Sequence, residues 1–277
     1  MEQQKIRGEA KSLTLDNGIE LTYCERGEQN DEVIVCGAFF FHTFMPVVEK
    51  LAEKYHVFGV IMRFDGKGDQ LNADGTVNWT RQWGNDIYNF AREKQLSKFH
   101  YVGKCHGSVP GWYLVKHHPE CLETFASFFL APHTKPQNSN QWFDLLTGGD
   151  PSAMMRAAMR KPETGMKLKM AEMASVGKID TSIIPKYAAD FLPHIWSSTE
   201  DCIETLKNMP MPIEYLFGTE DLFFHDHFDS NMFAIMNTAN SRAVFLGGER
   251  HLMEIDCPER LADEVITFIE SGKRHFQ

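Results

Sequence analysis

Short apolar runs alternate along the chain with longer stretches of helical spacing. Ser12-Leu13-Thr14-Leu15 and Ile19-Glu20-Leu21-Thr22-Tyr23 alternate apolar and polar positions on either side of Asn17-Gly18. That pattern predicts a β-hairpin closed by a type I′ turn. Val33-Ile34-Val35-Cys36 is a continuous apolar run ending at Gly37, the signature of a strand buried on both faces of a mostly parallel sheet. Helical periodicity over 44–55 is followed by a strand over 57–64, a helix over 79–96, a strand over 99–102, a helix over 108–118 and a strand over 124–130. This order predicts an α/β fold, a doubly wound and mostly parallel central sheet with helices on both faces.

The alternation stops after Pro132. Residues 134–208 contain helical stretches (141–146, 152–160, 165–175 and 185–191) and no convincing strand. Strand and helix then resume, with strands over 213–217 and 242–246 and helices over 228–237 and 258–271. The 277 residues therefore read as one core built from 1–133 and 209–277, with a helical cap, or lid, at 134–208 inserted between core strands. Insertions that leave such a sheet intact sit over the ends of its strands.

Composition narrows the classes of function. Lys and Arg number 28 against 38 Asp and Glu, a net charge of −10, which leaves no basic excess to neutralise nucleic-acid phosphates. The longest apolar runs fall far short of the roughly 20 residues of a transmembrane helix. Met1-Glu2-Gln3-Gln4-Lys5 lacks the apolar core of a signal peptide. The six cysteines (24, 36, 105, 121, 202 and 257) form no CxxC pair, so reduced thiols in the cytoplasm are expected.

The sharpest chemical signal is Gly103-Lys104-Cys105-His106-Gly107-Ser108, between a predicted strand and a predicted helix. This is the strand–turn–helix setting of a G-x-S-x-G nucleophile elbow, with Cys in the place of Ser. The turn forces the nucleophile into a strained conformation, and flanking glycines let strand and helix pack closely. Pro110 lies in the first turn of the helix, where a missing N–H costs little.

With this turn in place, the chain resembles the α/β-hydrolase superfamily over nearly its whole length. Gly37-Ala38 stands where members carry a His-Gly pair and the first oxyanion-hole residue, with Cys36 replacing the His. Arg63-Phe64-Asp65-Gly66-Lys67-Gly68-Asp69 is similar to the family's Asp-x-Arg-Gly-x-Gly-x-Ser stretch with its outer charges exchanged. His118-Pro119-Glu120 matches the His-Pro-Glu that ends the helix after the nucleophile. Phe217-Gly218-Thr219-Glu220-Asp221 resembles the segment that delivers the acid. Gly247-Gly248-Glu249-Arg250-His251, followed by Pro258 and an amphipathic helix, resembles the histidine loop and final helix.

Position alone points to the same residues. Nucleophilic catalysis needs a base and a carboxylate that orients it. Of the 12 histidines, His56, His117, His118 and His275 lie in or beside helical segments or at the terminus, and His100 falls within a strand. His251 follows a strand through a Gly-Gly loop, at the carboxyl edge of the sheet where α/β sites form. Asp221 follows the strand ending at Phe217, with the adjacent Glu220 as the alternative acid. The candidate catalytic residues are Cys105, Asp221 and His251, in the chain order expected of this fold. Oxyanion donors are expected from the backbone N–H groups of His106 and Ala38, with Phe39 the alternative to Ala38.

Other features weigh less. His225-Asp226-His227 superficially resembles a metal site but has no third ligand in place, and a polar loop explains it. Phe39-Phe40-Phe41 and Phe44 read equally as an acyl pocket or as core. Six of the 14 methionines lie between 154 and 173, interleaved with Arg156, Arg160, Lys161, Lys167 and Lys169, a composition that can repack around apolar substrates.

A thiolate at a helix N-terminus beside an imidazole has a depressed pKa and attacks readily. The expected function is a hydrolase with a Cys-His-Asp triad and an acyl-Cys intermediate. Its substrate would be a small carbonyl compound with a good leaving group: a lactone, an activated ester, a thioester or the C–C bond of a β-diketone. Dienelactone hydrolase, the family relative with a Cys-His-Asp triad, lacks such an insertion, so the lid makes this chain more similar to the capped branch. An acyltransferase or cyclase using the same triad, and a non-catalytic ligand-binding protein, are the alternatives. No cofactor or metal is expected, nor a nucleic-acid or membrane partner; self-association is left open.

Overall fold

A computed structural model describes residues 10–38, 41–63, 77–176 and 195–275. Eight strands form one sheet in the order β1-β2-β4-β3-β5-β6-β7-β8. These are β1 (Lys11–Thr14), β2 (Glu20–Arg26), β3 (Val33–Ala38), β4 (His56–Ile61), β5 (Phe99–Lys104), β6 (Leu122–Phe128), β7 (Ile213–Gly218) and β8 (Ser241–Leu246). β1 pairs antiparallel with β2 and β2 with β4, and every pair from β4 through β8 is parallel. The sheet is thus mostly parallel, as the apolar runs predict.

The helices divide between the two faces. On one, α1 (Phe41–Leu51) and the closing α11 (Pro258–His275) share a core around Val47, Val48, Leu51, Leu261 and Val265. On the other, α2 (Trp79–Glu93) and α3 (Ser108–His117) bury Trp83, Ile87, Phe90 and Trp112. In α1, α2 and α11 an apolar stripe fixes the face that is covered, whereas α3 is buried nearly all round. Among the described residues, no helix is long and apolar enough to cross a membrane. All six cysteines are free thiols.

Between β6 and β7 the described residues hold only helices: α4 (Gln141–Thr147), α5 (Pro151–Ala158), α6 (Pro162–Val176) and α7 (Thr199–Asn208). The helix expected over 185–191 lies outside the described residues. α7 escapes the periodicity reading, although Ser198 caps it through the Asp201 N–H at 3.2 Å. Short helices α8 (Leu222–Asp226) and α10 (Met253–Asp256) flank α9 (Phe228–Asn237) and β8, and were not evident from periodicity.

The hairpin turn departs from the expected type I′. The Gly18 N–H donates to the Leu15 carbonyl at 2.8 Å, so Asp16 and Asn17 are the central pair, neither with a positive φ, and Gly18, with φ 80°, is the fourth residue. A type I′ turn on Asn17-Gly18 needs Asn17 in that region as well. Its side chain instead accepts the Ile19 N–H at 3.1 Å, which holds the turn in its alternative form.

Candidate active site

The nucleophile turn is built by the end of β5. Cys105 opens a single 3-10 turn (Cys105–Gly107) and has φ of 51°, one of three non-glycine residues with positive φ among those described. For a side chain with a Cβ this is a strained conformation, held only where the surroundings enforce it. They do so through close packing of strand and helix. A Cβ on Gly103 would meet the Ser108 Cα at 2.4 Å and the Gly107 carbonyl at 2.6 Å. The Ser108 hydroxyl donates back to the Gly103 carbonyl at 2.8 Å, and the Tyr101 hydroxyl to the Gly107 carbonyl at 2.7 Å.

The acid and base stand on the next loops of the same sheet edge. Asp221 caps α8: one carboxylate oxygen accepts the Phe223 N–H at 2.9 Å. The other lies 3.0 Å from His251 Nδ1. Asp221 is fully buried and His251 is 2 % exposed, so little water screens this pair. Glu220, the alternative acid, points elsewhere, its carboxylate 3.4 Å from the Arg250 guanidinium. His251 and the Cys105 thiol are near enough for each to shift the titration of the other. Asp221 and His251 are thus in direct contact, with Cys105 beside them.

Electrostatics polarise this group. Burial pushes the Cys105 thiol up, but the charges of His106 and His251 outweigh it and hold the group well below its ordinary 9.0. Burial pulls the His251 imidazole down, while Asp221 and then Cys105 raise it to about 10. These shifts favour the thiolate form of Cys105 and the imidazolium form of His251.

The oxyanion candidates are placed unequally. His106 follows the nucleophile directly, inside the 3-10 turn that leads into α3. Ala38 ends β3, whose Gly37 is in register with Gly103 of β5, so its backbone borders the nucleophile turn. Phe39, and the stretch 64–69 after Arg63, lie outside the described residues. Arg63 itself grips Asp86 with two hydrogen bonds of 2.7 and 3.0 Å.

Further contacts surround the three candidates, and of these only the His106 side chain was expected from the sequence to line the pocket. The His106 imidazole lies on the nucleophile, Nδ1 to Sγ 3.1 Å. The His251 ring is surrounded by Trp142 of α4 at 4.3 Å, Phe129 at 4.8 Å and Phe223 at 5.5 Å between centroids. Phe129, just past β6, has a φ of 66°. Lys104, the residue before the nucleophile, is 5 % exposed and pairs with the fully buried Glu254 of α10.

Two carboxylates tie the helical segment to these loops. Asp226, at the end of α8, accepts the Gln141 and Trp142 N–H groups at 3.1 and 2.7 Å and the Ser139 hydroxyl. Asp256, at the end of α10, accepts the Arg160 and Lys161 N–H groups at 2.7 and 2.9 Å. These hydrogen bonds account for Asp226 of the His-Asp-His run. His225 contacts the Thr219 carbonyl at 2.9 Å, and His227 contacts Gln137 at 2.8 Å and the Phe223 carbonyl at 3.0 Å. Among the described residues, no group of three His, Cys, Asp or Glu is arranged to hold a metal ion.

Neither a family model nor a curated protein matches the chain by sequence. Solved structures do match it over nearly its full length. The meta-cleavage product hydrolase of Pseudomonas fluorescens is 15 % identical with a TM-score of 0.72, covering 95 % of this chain and 98 % of its own. The enol-lactonase of Burkholderia xenovorans is 17 % identical with a TM-score of 0.69, covering 94 % and 100 %. An esterase from a Rhodococcus species is 18 % identical with a TM-score of 0.68, covering 95 % and 99 %. With its mostly parallel sheet, its helices on both faces and these neighbours, the chain has the α/β-hydrolase fold.

Proposed function

We propose that this protein is a hydrolase in which Cys105 is the nucleophile, His251 the general base and acid, and Asp221 the residue that orients His251. The observation that carries the reading is a strained cysteine beside a buried His251 that is itself held by a buried Asp221. The carboxylate holds His251 by Nδ1, which leaves Nε2 for the thiol.

The steps follow from the charges. The Cys105 thiolate attacks the substrate carbonyl carbon, and the C=O π pair moves onto oxygen. That oxyanion is received by the backbone N–H groups of His106 and Ala38. As the C=O bond reforms, the leaving group departs with the proton of His251 Nε2, which leaves an acyl-Cys105. Water then attacks this acyl group and gives a proton to His251, and the S–C electron pair returns to sulfur. A thioester intermediate forms less favourably from unactivated esters, so lactones, activated esters, thioesters and β-diketones are the substrates expected. Residues 134–208 serve as a lid, with Trp142 over the imidazole, and the site works on small molecules in the reducing cytoplasm.

Intact-mass measurement during turnover of p-nitrophenyl esters and acyl-thioesters tests this reading. An acyl adduct mapped to Cys105 is expected, absent in Cys105→Ala together with turnover. Full turnover in Cys105→Ala would overturn it. Added amine or alcohol acceptors distinguish hydrolysis from acyl transfer.

A further inference from the structure

The reading above uses one imidazole, yet a second lies on the sulfur. His106 Nδ1 is 3.1 Å from Cys105 Sγ, while His251, on the loop after β8, acts on the same thiol. Against a thiolate a nitrogen lone pair would be repelled, so a thiolate at Cys105 requires the His106 tautomer or ion with hydrogen on Nδ1. A thiolate has several lone pairs and accepts two such donors.

We infer that the His106 side chain is a second catalytic group, an N–H donor that holds the Cys105 thiolate jointly with His251. This rests on Cys105 being the nucleophile. During acylation His251 surrenders its proton to the leaving group; His106 keeps its own throughout. When the acyl-enzyme is hydrolysed and the S–C pair returns to sulfur, the Nδ1–H of His106 is in place to receive the charge. One residue thereby attends both anions of the cycle, the oxyanion through its backbone N–H and the thiolate through its ring. A thiolate held in this way is a weaker nucleophile and a better leaving group. The site is matched to thioesters and to enol or aryl esters, whose leaving groups depart as readily as sulfur does, over simple alkyl esters.

The charged groups acting on Sγ among the described residues are His106 from the nucleophile turn and His251 with Asp221 behind it. The Lys104 ammonium is turned onto Glu254. The test is the pH dependence of Cys105 alkylation by iodoacetamide, followed by peptide mass, in the wild type, His106→Ala, His106→Asn and His251→Ala. All keep the backbone N–H at 106. His106→Ala is expected to raise the inflection by about one unit or more, and His106→Asn, whose amide N–H reaches a similar place, to recover part of that shift. His251→Ala is expected to retain an inflection below that of an ordinary thiol. An inflection in His106→Ala equal to the wild type, or no difference between the Ala and Asn variants, overturns the inference. Because alkylation needs no turnover, a failed acyl-adduct experiment and a failed titration are separate results.

Discussion

A thiolate and an imidazolium stabilise one another only while the imidazolium is itself held. In this site the hold is Asp221, buried and 3.0 Å from His251 Nδ1. Replacing it by Asn removes the charge that raises His251 to about 10. The imidazole then loses its proton at lower pH, and the Cys105 inflection moves up. Asp221→Asn is expected to lower kcat/KM by about 10²–10⁴-fold and to raise the alkylation inflection; wild-type kinetics would mean that another group orients His251. In the wild type, turnover should fall as pH rises through about 10, because His251 then has no proton for the leaving group. Cys105, Asp221 and His251 were legible because Gly-Lys-Cys-His-Gly and Gly-Gly-Glu-Arg-His are local patterns at predicted strand ends. Trp142, Phe129 and Glu254 were not: each reaches the site from a distant part of the chain, and nothing in its own neighbourhood marks it.

Among the elements, the two short helices do more than connect. α8 begins immediately after Asp221 and ends on Asp226; α10 follows His251 and ends on Asp256. Each therefore carries a catalytic candidate before it and a carboxylate at its end that accepts N–H groups of the helical segment. Asp226 serves the start of α4, where anionic groups also favour the helix dipole. The helical segment is thus fastened to the same two loops that hold the acid and the base. Hydrogen bonds to a charged acceptor contribute about 1.5–3 kcal/mol. Asp226→Asn should accelerate hydrogen exchange at the Gln141 and Trp142 amides by about 10-fold or more and raise KM, while leaving the Cys105 inflection in place. Unchanged exchange would show that α4 is held by its packing alone. Neither short helix was visible in the pattern of apolar positions, since four or five residues are too few to establish a 3.6 period.

For the molecule as a whole, the apolar runs were sufficient to predict the sheet, because strands buried on both faces read as continuous hydrophobic stretches. One exception inside the sheet has a thermodynamic signature. Glu214 of β7 is fully buried, with Arg242 at 3.4 Å. Burial raises its carboxyl to about 8 against the partial relief from Arg242. The folded state thus keeps a proton that the unfolded chain releases near 4.5, and stability falls as pH rises from about 4.5 to about 8, then levels. Urea unfolding between pH 5 and 9 should show this decline in the wild type. Glu214→Gln should flatten it and be the more stable protein at pH 8; parallel curves would place the proton elsewhere.

The Lys104–Glu254 pair joins positions 150 apart in the chain. Burying either charge without the other costs several kcal/mol, so the native packing of the end of β5 and that of α10 depend on one another. A chain whose C-terminal quarter has not yet folded lacks both His251 and the partner of Lys104. If Cys105 is the nucleophile proposed above, its full reactivity is reached only once that last segment has packed against the sheet.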